Sequence, residues 1–96
     1  MKFSGNQLLA ARDLLGLTQA ELAAASGVSV RTLIGVELGQ PTRPRSVEKI
    51  VEELTMRGIE FTNGTGIGIR LDYKKAQAFS AGQTKAKSDD AAPPRS

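Results

Sequence analysis

The sequence predicts a mainly α fold in which four short helices are followed by a β-hairpin and a disordered tail. Apolar residues recur with helical spacing, between capping and stop signals, over residues 4–58, and they alternate with polar residues over 59–72. From Tyr73 the apolar periodicity ends, and the chain becomes rich in polar residues, alanine and proline. We therefore divide the chain into a helical domain (1–58), a hairpin (59–72) and a flexible basic tail (73–96).

Two of the predicted helices flank a central pair. Ser4 and Gln7 have the spacing of a capping box, which predicts that the first helix begins after Ser4 and ends at Gly16. The fourth helix is predicted to begin at the cap Ser46 and to end at Gly58, with an apolar stripe between them. Prolines bias the residues before Ser46 toward extended backbone and shape them into a loop.

The central pair lies in the segment LTQAELAAASGVSVRTLIGVELG, residues 17–39. Thr18 and Glu21 form a second capping box, and Gly27 supplies the left-handed backbone that ends this helix. Ser29 can cap the next helix after a short turn. Two short helices joined in this way predict a helix-turn-helix, whose second helix enters the major groove of DNA. The alternative is an ordinary helical hairpin in a small bundle.

The second helix of this pair has a packed side and a free side. At 100° per residue, Leu33 and Val36 point to one side, where they can pack against other helices. The opposite side carries Val30, Arg31, Ile34, Gly35 and Leu38. This free side is the surface that a helix-turn-helix turns toward base edges.

The spacing of Gln19, Ala23, Gly27, Leu33 and Val36 resembles that of the phage repressor and Cro family, also called XRE-type regulators. The resemblance extends through ARDLLGL upstream and ELGQPTRPR downstream, and thus covers roughly half of the chain. It implies a four-helix, repressor-like helix-turn-helix domain that binds double-stranded DNA. The best-known members continue with a fifth helix where this chain predicts a hairpin, so their mode of dimerisation does not carry over.

The resemblance also implies roles for individual residues. In the family, the residue that matches Gln19 binds a DNA phosphate. Arg12 and Glu37 match a partly buried ion pair. In the family this pair joins the first helix to the end of the recognition helix, which is the second helix of the helix-turn-helix. Arg43 and Arg45 match a basic loop that touches the DNA backbone or the minor groove in some members. Alternatively, these two arginines only keep a proline-rich loop solvated.

Arg31 is the candidate for base recognition, because it lies near the start of the recognition helix. An arginine there can form a bidentate hydrogen bond with O6 and N7 of guanine. A phosphate contact or a solvated surface position is the alternative. Ser29 and Thr32 offer hydroxyl groups beside it, and the free amides at the starts of both central helices can bind phosphate.

Val30, Ile34 and Gly35 stand where members of the family usually carry glutamine, serine or asparagine. The methyl group of thymine is a matching apolar partner in the major groove. The alternative is an apolar patch for a protein partner. Because the helix has few polar base readers, we expect DNA shape and backbone contacts to contribute much of the specificity.

The predicted hairpin has a turn at residues 63–66. An isolated two-stranded hairpin is marginal in water, so its apolar side chains need another surface. We predict that they form the interface of a homodimer through an open strand edge. Packing within one protomer is the alternative. The residues concerned are Ile59, Phe61, Ile67, Ile69 and Leu71.

Composition excludes several classes of site. The 96 residues contain no histidine and no cysteine, which removes the usual zinc ligands, the cysteine nucleophile and the Ser-His-Asp triad. We therefore expect no enzyme, cofactor or metal site. The first residues contain no long apolar run, so we expect a cytoplasmic protein without a membrane segment. Residues 1–58 are nearly neutral and 73–96 carry much of the net charge of +3, so charge alone is a weak argument for nucleic acid.

Together these features predict a homodimeric, sequence-specific DNA-binding regulator, most simply a repressor that occupies an inverted-repeat operator. The alternative is an antitoxin-type module, which binds a protein partner and regulates its own synthesis through the helix-turn-helix. A neighbouring gene for a small toxin would favour the second hypothesis.

Overall fold

The computed structural model describes residues 3–62 and 66–87. In these two ranges the chain forms five helices and one two-stranded sheet. The elements are α1 (Gly5–Leu14), α2 (Gln19–Ser26), α3 (Val30–Glu37), α4 (Pro44–Met56), β1 (Ile59–Thr62), β2 (Gly68–Leu71) and α5 (Tyr73–Lys87). The predicted four-helix domain and the hairpin after it are thus confirmed. No helix in the described ranges is long and apolar enough to cross a membrane.

The first three helices begin at the predicted caps. In α1 and in α2 the capping box is complete, since each cap hydroxyl accepts a main-chain N–H and each cap N–H donates to a side chain in return. The two boxes pair Ser4 with Gln7 and Thr18 with Glu21. Ser29 caps α3 as predicted. These local bonds satisfy amide groups that a helix start would otherwise leave without a partner.

The turn between α2 and α3 depends on Gly27. Its backbone is left-handed, with φ of 76°, and the N–H of Val28 donates to the main-chain oxygen of Ala23 at 3.0 Å. A side chain at Gly27 would be strained in this conformation. The turn therefore holds only three residues, which fixes the approach of α3 to α2.

The core lies where α1 to α4 and the first strand meet. Leu33 and Val36, which were predicted to pack, are fully buried. Among the residues that the structure describes, the buried apolar side chains are Leu8, Ala11, Leu22, Ala23, Leu33, Val36, Val47, Ile50, Leu54 and Ile59.

Helix α4 begins earlier than predicted. Its first residue is Pro44 and its cap is Arg43, which makes no side-chain capping bond, so the assignment of Ser46 as the cap is wrong. Proline suits the first position of a helix because its φ is already helical and because it lacks an N–H that would need a partner. The loop between α3 and α4 is therefore shorter than predicted, because Pro44 and Arg45 belong to the helix.

The hairpin packs on the helical domain. Its strands are antiparallel, with Ile59 opposite Leu71 and Phe61 opposite Ile69. Ile59 is fully buried, and the other three pack against the core. Ile67 lies outside β2 and is 61% exposed. Of the predicted turn, residues 63–65 fall outside the described part of the chain.

Gln7 joins α1 to the turn end of the hairpin, where Thr62 pairs with Gly68. Its amide nitrogen donates to the main-chain oxygens of Thr62 at 3.3 Å and Gly68 at 3.0 Å. The side chain is buried, so these bonds satisfy a group that water does not reach. The glutamine of the α1 capping box therefore also holds the hairpin.

Helix α5 replaces the flexible tail that was predicted from Tyr73. Asp72 caps it, because its carboxylate accepts the N–H of Lys75 at 3.0 Å and its main-chain oxygen accepts that of Ala76. The bond from Lys75 lowers the pKa of Asp72 below its ordinary value. Asp72 continues the alternating pattern of the second strand, so the pattern alone does not predict that it caps a helix. Residues 88–96 of the predicted tail lie outside the described part of the chain.

The first turns of α5 are held against the end of α4. A Cβ atom at Gly58 would lie 3.0 Å from the main-chain nitrogen of Ala76, so only glycine allows this approach. The guanidinium of Arg57 lies 4.7 Å from the ring centre of Phe79, within the range of a cation–π contact. One aromatic residue thus anchors a helix whose other described side chains are mostly exposed.

Candidate nucleic-acid interface

Helix α3 turns one side to the core and the other to solvent. Leu33, Val36 and Glu37 are buried on the inner side. On the outer side Arg31 is exposed, and so are three apolar residues, Val30 by 40%, Ile34 by 38% and Leu38 by 69%. The residues predicted on the free side are therefore brought together on one accessible helix face.

The start of α3 is arranged to receive negative charge. Ser29 accepts the N–H of Thr32 at 3.0 Å, and its hydroxyl donates to the Thr32 hydroxyl at 2.9 Å. One of the two hydroxyl protons is thus used between Ser29 and Thr32, and the other can point outward. The first turn of α3 contains no acidic residue, whereas that of α2 contains Glu21. The partial positive charge at the start of α3 is therefore not neutralised by its own helix.

A hydrogen-bonded cluster lies behind this surface. Nε of Arg12 donates to Oε2 of Glu37 at 2.6 Å and Nη2 donates to Oε1 at 3.1 Å, so the expected ion pair is present and bidentate. Nη1 donates to the main-chain oxygen of Leu17 at 3.0 Å. The hydrogen bond to Glu37 raises the pKa of Arg12. With side-chain exposures of 16% for Arg12 and 2% for Glu37, the pair joins α1 to the end of α3 in a largely dry setting.

Gln19 belongs to the same cluster. Its amide nitrogen donates to Oε1 of Glu37 at 3.0 Å, and the side chain is partly buried. One of the two amide N–H groups is therefore committed to the protein. Glu37 thus accepts from three N–H donors and sets the orientation of the residue at the start of α2.

The basic loop residues lie at the start of α4. Arg43 is its cap residue and is exposed. Arg45 approaches Glu48 at 3.7 Å, but both side chains are more than half exposed, so this pair holds the arginine weakly. Both guanidinium groups are accessible to a polyanion.

Gln40 is an exposed residue of this surface that the sequence did not single out. A Cβ atom at Gly35 would lie 3.2 Å from Oε1 of Gln40, so the amide lies against the outer side of α3. The sequence contains a signal for this position, because a glycine that ends a helix, such as Gly39, turns the next residue back toward the last helical turn.

A family model described as helix-turn-helix matches residues 8–57, which is just over half of the chain and runs from α1 to the end of α4. The chain belongs to this family of XRE-type, Cro/CI-like helix-turn-helix proteins. It is a DNA-binding regulator, and the family is one of regulators and typically not of enzymes. No curated protein shows a significant match to the chain.

Proposed function

We propose that this helix-turn-helix protein is a homodimeric repressor that binds an inverted-repeat operator in double-stranded DNA and blocks a promoter. The observation that supports it best is the accessible outer side of α3, with Arg31 at the end that enters the groove. Selection of bound duplexes from a random pool tests the proposal directly. A single enriched sequence with two-fold symmetry is the expected result.

Phosphate contacts position the protein on the duplex. We assign them to Gln19 through its remaining N–H, to Arg43 and Arg45, and to the start of α3 with Ser29 and Thr32. Backbone contacts of this kind fix register without carrying sequence information. Sequence information then comes from the side chains on the outer face of α3.

We expect Arg31→Ala to weaken operator binding by about 1 to 3 kcal/mol and to relax the preference for one guanine in each half-site. Unfolding should be unchanged, because Arg31 is exposed. Arg45→Ala is the matched control, since loss of a phosphate contact weakens all sequences alike and lowers the salt dependence. Equal base preferences in Arg31→Ala and the parent, across single-base variants of the operator, would remove Arg31 from base recognition.

Val30 and Ile34 are proposed to contact thymine methyl groups. Both are about 40% exposed, and Arg31 and the start of α3 beside them carry the positive charge that suits the phosphates bordering a major groove. An apolar surface framed by positive charge fits DNA better than it fits an apolar protein. Polar readers are few on this face, so the shape of the duplex contributes as well.

Replacing a thymine of the operator by uracil removes only the 5-methyl group. We expect affinity to fall about fourfold at each thymine that contacts Val30 or Ile34, because burial of one such carbon is worth about 0.8 kcal/mol. In Ile34→Ala the uracil effect should vanish at one position and persist at the other. If no uracil substitution changes affinity, these side chains do not recognise thymine.

The proposed dimer uses the edge of the hairpin. Its inner side already packs on the core, and its outer side carries a charged cluster in which Arg70 and Lys75 both contact Glu60, at 2.6 Å and 3.2 Å. These contacts, that of Arg70 first, lower the pKa of Glu60. In the described part of the chain the sheet has two strands, so each has an edge that a second copy can extend. Ile67, exposed beside β2, is the apolar residue that such pairing would cover.

We expect Ile67→Lys to shift the protein toward monomer in sedimentation velocity, and to weaken binding to two half-sites more than to one. The melting temperature should stay close to that of the parent, because Ile67 is 61% exposed. Ile69→Lys is less informative, since Ile69 packs against the core and its loss would confound dissociation with unfolding. A parent chain that is monomeric at tens of micromolar, both free and on DNA, would exclude the hairpin interface.

The antitoxin-type alternative is favoured by one observation. An open cleft of about 660 Å³ lies between the loop before α4 and the first half of that helix, and its apolar walls include Phe3, Pro41, Val47 and Val51. Such a surface suits an apolar segment of another protein. A co-encoded toxin that binds the parent chain and not Glu52→Lys, a change at an exposed residue of the same cleft, while both bind DNA equally, would favour this function.

A further inference from the structure

Gly35 leaves a gap in the middle of the DNA-facing side of α3. The preceding turn presents Arg31 on this side and the following residues present Leu38. Gly35 itself offers no group to a base. A recognition helix that lacks a side chain at this central position can receive one from elsewhere in the fold.

The loop after α3 places Gln40 over that gap. The N–H of Gln40 donates to the main-chain oxygen of Gly35 at 2.9 Å, and the hydroxyl of Thr42 donates to the main-chain oxygen of Gln40 at 3.0 Å. The backbone of Gln40 is thus held from both sides. A Cβ atom at Gly35 would lie 3.2 Å from Oε1 of Gln40 and 4.0 Å from its Cβ. The amide therefore lies where a side chain at position 35 would begin.

We propose that Gln40 supplies from the loop the base-recognising amide that α3 lacks at Gly35, and that it recognises adenine. The proposal rests on the proposed DNA-binding function and deepens it. A glutamine amide can donate to N7 and accept from N6 of adenine, a pairing that reports base identity. Residues 31 and 35 are one helical turn apart, so this adenine lies within about two base pairs of the base contacted by Arg31.

Two different substitutions in the full-length chain test this geometry. Gln40→Ala removes the amide. Gly35→Ala keeps it but introduces a Cβ that displaces it, while alanine favours the helix and should leave the melting temperature unchanged or higher. On the selected operator, we expect Gln40→Ala to lose about fivefold to a hundredfold of the discrimination for adenine at one base pair. Gly35→Ala, whose Cβ moves the amide by a few tenths of an ångström, should lose part of that discrimination at the same base pair. The double variant should lose no more than Gln40→Ala alone.

Gln77→Ala is the matched control, since Gln77 is an exposed glutamine on α5. It should leave affinity and base preference unchanged. The proposal is overturned if Gln40→Ala keeps the base preferences of the parent, or if it weakens all sequences equally, as loss of a phosphate contact would. Failure of the parent chain to enrich any duplex would instead overturn the proposed function.

Discussion

Glu37→Ala is expected to lower the free energy of unfolding by about 3 kcal/mol or more, because breaking a buried pair leaves an uncompensated charge. The carboxylate is 2% exposed and accepts from both Arg12 and Gln19. For a domain of this size such a loss lowers the melting temperature by more than about 10 °C. A thermal melt followed by circular dichroism measures it.

Two further variants separate the cause from mere loss of a side chain. Glu48→Ala removes a carboxylate that is 61% exposed and should change stability by less than about 0.5 kcal/mol. Replacing both partners by apolar residues, Arg12→Met with Glu37→Leu, should recover part of the loss, since no charge is then left buried. A melting temperature of Glu37→Ala equal to that of the parent would show that the pair contributes nothing to stability.

The same cluster links stability to DNA binding. Gln19 depends on Glu37 for its orientation, so Glu37→Ala should weaken the phosphate contact even in the molecules that remain folded. Measured well below its melting temperature, the variant should bind all duplexes less tightly, without a change in base preference. This separates it from Arg31→Ala, which alters preference and leaves the fold intact.

The sequence predicted those parts of the fold that local bonds determine. Ser4, Thr18 and Ser29 cap helices through partners three residues away, and Gly27 ends α2 through its own backbone. Such signals lie within one turn and can be recognised without knowledge of the fold. The helical and alternating periods then separated the bundle from the hairpin.

Features that depend on contacts between distant segments could not be predicted from sequence patterns. Helix α5 has little apolar periodicity, and its position depends on Asp72 and on the space above Gly58. The bond from Gln7 to the hairpin spans more than fifty residues, and a capping box does not imply it. Ile67 and Ile69 look alike in the alternating pattern, yet only Ile69 packs against the core.

The candidate site divides in the same way. Helical geometry placed Arg31, Val30 and Ile34 on the outer side of α3, because period alone decides which side of a helix a residue occupies. Helical geometry could not show that Gln40 lies against Gly35, because loop residues have no regular spacing that determines where their side chains lie. It also did not show that Gln19 bonds to Glu37, because that contact joins the start of one helix to the end of another.

Gly5→Ala is expected to destabilise the protein by about 1 to 3 kcal/mol, as overpacking of a close contact does. A Cβ atom at Gly5 would lie 2.6 Å from the main-chain oxygens of both Val36 and Glu37. These atoms belong to the backbone of α3, so they cannot move aside as the end of a flexible side chain would. The contact also brings the positive end of α1 to the negative end of α3, which favours the close approach.

Because α3 must shift to admit the methyl group, Gly5→Ala should weaken operator binding as well as lower the melting temperature. Gly66→Ala is the control, since a Cβ atom there would meet nothing within 4 Å. Gly35→Ala should behave in the opposite way to Gly5→Ala, with a stable fold and altered base preference, because its Cβ would approach the flexible Gln40 side chain, closest at Oε1, and no backbone atom within 4 Å. If Gly5→Ala has the same melting temperature and the same operator affinity as the parent, α1 does not fix the position of the recognition helix.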